Sequence, residues 1–201
     1  MADGEPIVPL VGLTGGLGAG KSTALAALER LGAAVLSTDE VVRELYEGDA
    51  VRAAVVGRWG DEVAPGGRVD RDAIAGRAFA EPAEREWLER LIWPLVGARV
   101  ASWIVEARDR RPAPRAAVVE TPLLFEAGMD GAYDATIAVI ADEEVRRERA
   151  AGRGHVLVAE RTARQLSQEE KARRATFVVR NDGSLAELEQ ELSTVLAKLS
   201  G

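Results

Sequence analysis

The residues with the clearest chemical potential form a short run near the N-terminus, Gly15-Gly16-Leu17-Gly18-Ala19-Gly20-Lys21-Ser22. Glycines let the backbone bend so that successive N–H groups point at one anion, and a helix that begins near Lys21 would add the positive end of its dipole. This G-x-x-x-x-G-K-S spacing favours binding of a nucleoside triphosphate, with Lys21 reaching the β- and γ-phosphates and the Ser22 hydroxyl coordinating Mg²⁺. The predicted phosphate-binding residues are Gly16, Gly18, Ala19, Gly20, Lys21, Ser22 and Thr23.

Lysine is rare in this chain and occurs only at Lys21, Lys171 and Lys198. Nearly all other positive charge is arginine, a bias that a GC-rich coding sequence explains. Lys21 is therefore the only lysine in the first 170 positions. This agrees with a role at phosphate, where a compact ammonium fits and a planar guanidinium does not.

Two further groups have the chemistry for phosphoryl transfer. Asp39 follows a predicted strand at 33–36, where a doubly wound fold opens its ligand crevice, and a carboxylate there could accept the proton of an acceptor hydroxyl. The alternative is that Thr38 or Asp39 only caps the next helix. Arginines crowd residues 146–174, where they could close over a triphosphate or lie on solvated helix faces paired with glutamates.

Strand and helix patterns alternate along the chain and would position these groups. The predicted strands are 7–11, 33–36, 116–120, 135–141 and 176–179, and the predicted helices are 39–46, 50–59, 71–80, 82–110, 143–151, 156–175 and 184–199. Pro94 should kink or break the longest helix. This alternation predicts an α/β fold with a doubly wound parallel sheet.

The spacing of the elements predicts one domain over 1–201 with two elaborations. The helical stretch between the second and third strands is too long for a simple crossover, so we expect an inserted subdomain at about 46–114. The polar stretch before the last strand suggests a lid at about 142–175. The core would then comprise about 5–45, 115–141 and 176–201.

Composition limits the class of protein. The chain has 201 residues, and 47% of them are apolar, which is enough for a hydrophobic core. Its net charge is −7, so the chain lacks the excess of positive charge that is typical of proteins that bind nucleic acid. No apolar run has membrane-spanning length and no signal peptide is evident, so we expect a cytoplasmic protein that binds neither nucleic acid nor membrane. Cysteine is absent, which excludes a thiol nucleophile and a thiolate zinc site. The sequence leaves the oligomeric state open, with a monomer favoured.

Two classes of nucleotide-binding protein compete at this stage. A switch GTPase relies on an N-K-x-D base reader and a D-x-x-G switch, and neither string occurs in the chain. A small-molecule kinase needs an acceptor-side carboxylate, arginines over the triphosphate and an acceptor pocket. The residues therefore favour a kinase.

Separated motifs resemble those of the dephospho-CoA kinase family over nearly the whole chain. The most distinctive is Pro122-Leu123-Leu124-Phe125-Glu126-Ala127-Gly128, which matches the family's P-L-L-F-E-x-G. The others are L-T-G-G-x-G-x-G-K-S from Leu13, D-x-x-x-R at Asp39 and Arg43, R-x-x-x-R at Arg149 and Arg153, R-x-x-x-Q at Arg161 and Gln165, S-x-E-E-K at Ser167 to Lys171, and N-x-G at Asn181 to Gly183.

The resemblance implies that ATP, with Mg²⁺, phosphorylates the 3′-hydroxyl of the ribose of dephospho-CoA, a small-molecule substrate. It implies that Asp39 is the general base, and that Lys21, Arg149 and Arg153 offset charge on the transferring phosphoryl group. Asn181 would lie near the adenine of ATP, and the inserted helices would bind the pantetheine arm. The residues implied as acceptor contacts are Asp39, Arg43, Trp93, Pro122, Leu123 and Leu124.

Three positions depart from the family pattern. Ser37 stands where the family usually has Asp, which removes one possible metal-side carboxylate and leaves Asp39 alone. Trp93 stands where the family usually has His, and it would either fill core volume or form a wall of the acceptor pocket. Arg180 stands where the family often has Asp. Two alternatives stay open: another kinase of nucleosides or nucleotides, or a non-enzymatic NTP-sensing regulator.

Overall fold

The computed structural model describes residues 8–151 and 165–199. Within these residues, parallel strands form one sheet, in the order β2-β3-β1-β4-β5. The strands are β1 Leu10–Gly15, β2 Ala34–Ser37, β3 Ala117–Glu120, β4 Ala135–Ile140 and β5 Phe177–Arg180. The predicted α/β fold with a doubly wound parallel sheet is confirmed, with β1 at its centre.

Of the described helices, one lies between β1 and β2, four between β2 and β3, two between β4 and β5 and one after β5, whereas β3 and β4 are joined by a segment without an α-helix. The described helices are α1 Lys21–Arg30, α2 Thr38–Glu47, α3 Asp49–Trp59, α4 Arg71–Ala80, α5 Pro82–Arg108, α6 Glu143–Ala151, α7 Gln168–Arg174 and α8 Leu185–Leu199. Residues 156–164 of the helix predicted at 156–175 lie outside the described residues, and within the remaining 165–175 the helix is α7. None of the helices in the described ranges combines the length and apolar character that a membrane span requires.

The first strand lies further along the chain than predicted. It was expected at 7–11, whereas β1 runs over Leu10–Gly15 and Pro9 precedes it. Pro9 has no N–H for a sheet ladder, but its carbonyl accepts from Ala117 N at 2.8 Å. The strand then continues through glycines that carry no strand propensity of their own, because the neighbouring strands β3 and β4 pair with it on both sides.

The long helix α5 does not end at its proline. It runs as one element over Pro82–Arg108, so of the kink or break predicted at Pro94 the break is wrong. Proline removes the N–H that would bond to the carbonyl of Arg90. Arg90 and Pro94 both lie on the exposed side of the helix, where water can satisfy that carbonyl.

The chain divides into two compact units, whose limits differ from the predicted insertion at about 46–114. One unit comprises Met1–Ser37 with Ile104–Gly201, and the other comprises Thr38–Trp103. The first contains the sheet, and its core lies between the sheet and helices α1 and α8. Its fully buried members include Val11, Leu13, Leu28, Ile137, Leu192 and Leu196.

The second unit has an apolar core of its own. Val51, Val55, Val63, Ile74 and Ile92 are buried together in it. Beside this core, Glu84 joins α5 to α3, because its carboxylate accepts from the guanidinium of Arg58 and from the indole N–H of Trp59 at 2.6 Å. The rings of Trp59 and Trp87 pack edge to face, with their centroids 5.1 Å apart.

Candidate active site

The glycine run forms a loop between the end of β1 at Gly15 and the start of α1 at Lys21. Gly18 and Gly20 have φ angles of 75° and 89°, a left-handed region that side chains disfavour. Both glycines also lack space for a side chain: a Cβ on Gly18 would lie 2.5 Å from the carbonyl oxygen of Arg146, and one on Gly20 would collide with the amide of Asn181. The loop therefore needs glycine for conformation and for packing.

Lys21 holds the loop in shape from within. Its Nζ donates to the carbonyl oxygens of Gly15 at 3.1 Å and Gly16 at 3.3 Å. Its side chain is half-buried, while the next two residues, Ser22 and Thr23, are exposed in the first turn of α1. An ammonium, two hydroxyls and the N-terminal end of a helix thus surround one loop, which is the arrangement that binds polyphosphate.

Helix α6 lies over the loop and contributes two guanidinium groups. Arg146 Nε donates to the carbonyl oxygen of Leu17 at 3.0 Å, and its guanidinium lies 3.3 Å from where a Cβ on Gly16 would be. Arg149 Nη1 donates to the carbonyl oxygen of Asn181 at 2.9 Å. These contacts place two positive charges at the rim of the glycine loop.

Asn181 joins the end of β5 to the same loop. Its amide Nδ2 donates to the carbonyl oxygen of Ala19 at 2.9 Å, and the side chain is buried. Lys21, Arg149 and Asn181, which the sequence singles out from separate regions, therefore meet at one loop. Arg153 was predicted with them and lies outside the described residues. Arg146 was only one of a crowd of arginines in the sequence, and its three-residue spacing from Arg149 was the signal that both share a helix face.

A buried carboxylate beside β2 was missed by the sequence analysis. Glu120 is the last residue of β3, opposite Ser37 in the sheet register, and Ser37 Oγ donates to Glu120 Oε2 at 2.6 Å. The end of β3 therefore carries a carboxylate that the expectation drawn from Ser37 did not include. The signal was present in the sequence, since a Glu that ends a fully apolar strand falls at the edge where such sheets bind ligands.

The P-L-L-F-E segment forms a turn after β3, and its members differ in exposure. Leu124 is fully buried and Phe125 nearly so, whereas Pro122 and Leu123 are partly exposed. The side chain of Leu124 packs close to Gly12 inside the sheet unit, where a Cβ on Gly12 would collide with it. Of the three predicted acceptor contacts in this turn, Pro122 and Leu123 have surface to offer a ligand.

Three predicted acceptor residues belong to the unit Thr38–Trp103. Asp39 is exposed in the first turn of α2. A carboxylate there also stabilises the helix by about 0.3–1 kcal/mol, because it interacts favourably with the helix dipole. Arg43 is exposed one turn later, 3.4 Å from Glu40 Oε1. Trp93 is 59% exposed, so the account in which it fills core volume is wrong. The core of this unit is formed instead by residues such as Ile92, one position earlier on α5.

Comparison with known proteins gives one consistent result. The model of the dephospho-CoA kinase family matches residues 9–187 of this chain. A dephospho-CoA kinase of Deinococcus radiodurans is 39% identical over 192 residues, which cover 94% of this chain and 91% of that protein. A crystal structure of a Thermus thermophilus protein has 35% identity and a TM-score of 0.77, covering 96% of this chain and 99% of its own. A dephospho-CoA kinase from Campylobacter jejuni, at 22% identity, has a TM-score of 0.67 over 95% of this chain and 96% of its own, and supports the fold alone.

Proposed function

Because the chain belongs to the dephospho-CoA kinase family, we propose that it transfers the γ-phosphoryl group of ATP to the 3′-hydroxyl of the ribose of dephospho-CoA. The observation that carries this function is the glycine loop, which is held by Lys21 and rimmed by Arg146, Arg149 and Asn181. The products are coenzyme A and ADP. The predictions of a cytoplasmic monomer that binds neither nucleic acid nor membrane stay predictions.

The donor side of the reaction is assigned to the sheet unit. Backbone N–H groups of residues 16–20 and the Lys21 ammonium would bind the β- and γ-phosphates, and the guanidinium groups of Arg146 and Arg149 would offset charge as the phosphoryl group moves. Asn181 would adjoin the nucleoside, since it packs on the same loop. Arg153 keeps the role implied by its motif as a prediction.

The oxygen-bearing side chains near the glycine loop also suit a magnesium ion. Mg²⁺ binds oxygen ligands, commonly one or two carboxylates together with substrate phosphates, and keeps several of its waters. Ser22 offers an exposed hydroxyl at the start of α1, and Glu120 offers a carboxylate at the end of β3. Bound there, the ion would neutralise phosphate charge. Ser22 would hold it, and Glu120 would accept hydrogen bonds from its waters, with Ser37 orienting that carboxylate.

The acceptor side is assigned to Asp39 and its neighbours in the motifs. Asp39 would take the proton of the ribose 3′-hydroxyl, which a solvated carboxylate can do as the oxygen attacks phosphorus. Arg43, Pro122, Leu123 and Trp93 would contact dephospho-CoA. Leu124 would act through packing within the turn and not through contact with dephospho-CoA, because its side chain is fully buried.

The proposed function is tested by measuring ADP release with dephospho-CoA and, in parallel, with a panel of nucleosides and nucleotides. We expect turnover with dephospho-CoA alone, and mass spectrometry should show one added phosphate on the ribose. Turnover with a nucleoside but not with dephospho-CoA would favour another small-molecule kinase. Nucleotide binding without turnover on any acceptor would favour an NTP-sensing regulator.

Glu120→Gln is expected to raise the Mg²⁺ concentration needed for half-maximal rate by about tenfold. The substitution preserves size and an acceptor for Ser37, but it removes the charge that would face the metal's waters, an effect on the scale of one charge-assisted hydrogen bond. Titrating Mg²⁺ at saturating nucleotide measures the shift, and Mn²⁺–ATP affinity gives a second measure without turnover. Ser37→Ala is the matched control. It keeps the Glu120 carboxylate and removes only its hydrogen bond, so it should raise the required Mg²⁺ concentration less. An unchanged metal requirement with a lower melting temperature would make Glu120 purely structural.

Trp93→His is expected to change the apparent affinity for dephospho-CoA by up to about tenfold, the scale of one stacked or hydrogen-bonded group. Because Trp93 is 59% exposed, its replacement leaves no cavity and the melting temperature should hardly move. ATP affinity should not change. Leu95→Ala, an exposed neighbour on α5, serves as the control. Equal affinities for dephospho-CoA in Trp93→His and the parent protein would remove Trp93 from the acceptor site.

A further inference from the structure

Lys171 is a charged side chain in the interior of the sheet unit. It lies on α7, and its side chain has no exposed surface. Its Nζ donates to the carbonyl oxygen of Pro122 at 2.6 Å and to Thr14 Oγ1 at 3.3 Å, and it lies 3.0 Å from Glu126 Oε1. Three acceptors thus match the three N–H donors of the ammonium. A buried cation is tolerated only when it is paired and hydrogen-bonded in this way.

The partners of Lys171 come from two segments that adjoin the active site. Thr14 is fully buried near the end of β1, directly before the glycine loop, and its hydroxyl donates to the carbonyl oxygen of Pro122 at 3.2 Å. Pro122 and Glu126 belong to the turn that follows β3, which we call the acceptor turn and define as residues 121–128. Lys171 therefore lies where the strand that enters the phosphate-binding loop meets the acceptor turn.

The ion pair keeps the lysine in this position. Glu126 Oε1 also accepts from the backbone N–H of Leu166 at 2.8 Å, so the carboxylate contacts the chain just before α7 as well as Lys171. The other oxygen, Oε2, is buried and has no hydrogen-bond partner among residues 8–151 and 165–199. Burial holds the pKa of Lys171 below its usual value, although the hydrogen bond and the charge of Glu126 favour the ammonium form.

We propose that Lys171 is a positioning residue, which fixes the acceptor turn against the strand that leads into the phosphate-binding loop by bridging Pro122 and Thr14. The proposal rests on the proposed function, because it takes Pro122 and Leu123 as acceptor contacts. Stability alone does not require a buried ion pair, since apolar residues of similar volume often serve as well. Phosphoryl transfer does require that the donor and acceptor loops keep their spacing, because a displacement of about 1 Å can cost about 10²-fold in rate.

The decisive variant is Lys171→Met/Glu126→Gln. Lys171→Met alone would leave a buried carboxylate without its cation and could fail to fold. The double substitution removes both charges and nearly preserves volume. We expect it to fold with a melting temperature near that of the parent and with ATP affinity within about twofold. Its kcat at saturating substrates should fall by about tenfold or more, because the acceptor turn loses the ammonium that joins Pro122 to Thr14 and keeps there only the direct bond from the Thr14 hydroxyl.

Two controls separate positioning from stability. Glu126→Gln alone keeps the bonds from Lys171 to Pro122 and Thr14, so kcat should stay within about threefold even though the folded state is less stable. Lys198→Met removes the exposed lysine of α8 and should change neither kcat nor the melting temperature. A double variant with parental kcat and a lower melting temperature would overturn the proposal, because the pair would then act only in stability.

Hydrogen exchange gives a readout that does not depend on the acceptor. In the double variant, without ligands, amides of residues 124–128 should exchange faster while the free energy of global unfolding is unchanged. Unaltered exchange in this segment would overturn the positioning role. If the parent protein instead phosphorylates another acceptor, the proposed function fails while the exchange experiment still decides whether Lys171 orders this turn.

Discussion

Asp39→Asn is expected to lower the rate of phosphoryl transfer by about 10²–10⁴-fold, the contribution of a positioned general base. The amide keeps the shape of the side chain but cannot take the proton of the ribose hydroxyl. ATP affinity should survive, because the residues assigned to the triphosphate lie in the glycine loop and α6. Single-turnover transfer and calorimetric titration with ATP measure the two effects separately.

The control for Asp39 is its neighbour Glu40, which is also exposed in the first turn of α2. Glu40→Gln removes a similar charge near the helix N-terminus, so it should reproduce any loss of helix stability without the loss of rate. If Asp39→Asn lowers the melting temperature and leaves the transfer rate intact, the role of Asp39 is confined to the helix.

Lys21→Ala is expected to reduce turnover by about 10²-fold or more, on the scale of removing one charge-stabilising group from the transition state. The Lys21 ammonium donates to the carbonyl oxygens of Gly15 and Gly16, and the residue is only half-buried. The fold should therefore remain intact, which circular dichroism and thermal melting can verify.

Lys21→Arg sharpens this test, because it keeps the charge. A guanidinium is wider than an ammonium, and Lys21 Nζ already lies 3.1 Å from the carbonyl oxygen of Gly15, so Arg should not restore the rate. Lys198→Ala controls for the loss of an exposed lysine. Near-normal turnover by a well-folded Lys21→Ala protein would end the assignment of this loop to phosphate.

The phosphate-binding loop could be predicted from the sequence because its parts are local. The glycines, Lys21 and Ser22 follow one another within a few positions, so backbone freedom and the helix dipole already specify the chemistry. The parallel direction of the strands could be predicted for a related reason, since strands separated by helices commonly pair in parallel, whereas the strand order was not predicted. The limits of β1 could not be predicted, because its glycines have low strand propensity and are held in the strand by pairing with β3 and β4.

The missed parts of the site are contacts between distant positions. The pair of Ser37 and Glu120 spans 83 positions, and the bond from Arg146 to Leu17 spans 129. Neither residue type signals its partner, because a Ser or Arg alone has no directional pattern in a sequence. Lys171 belonged to a recognised motif, but its partner Thr14 lies 157 positions away, and its complete burial contradicts the usual solvent exposure of lysine.

The burial of Lys171 has a consequence for covalent footprinting. The chain has only three lysines, and one of them has no surface that a reagent can reach. Acylating reagents that attack side-chain amines are therefore left with Lys198 on the last helix and Lys21 at the phosphate-binding loop. One of these two amines lies in the proposed nucleotide site and the other serves as an internal standard, so the ratio of their modification reports occupancy of that site without any engineered label.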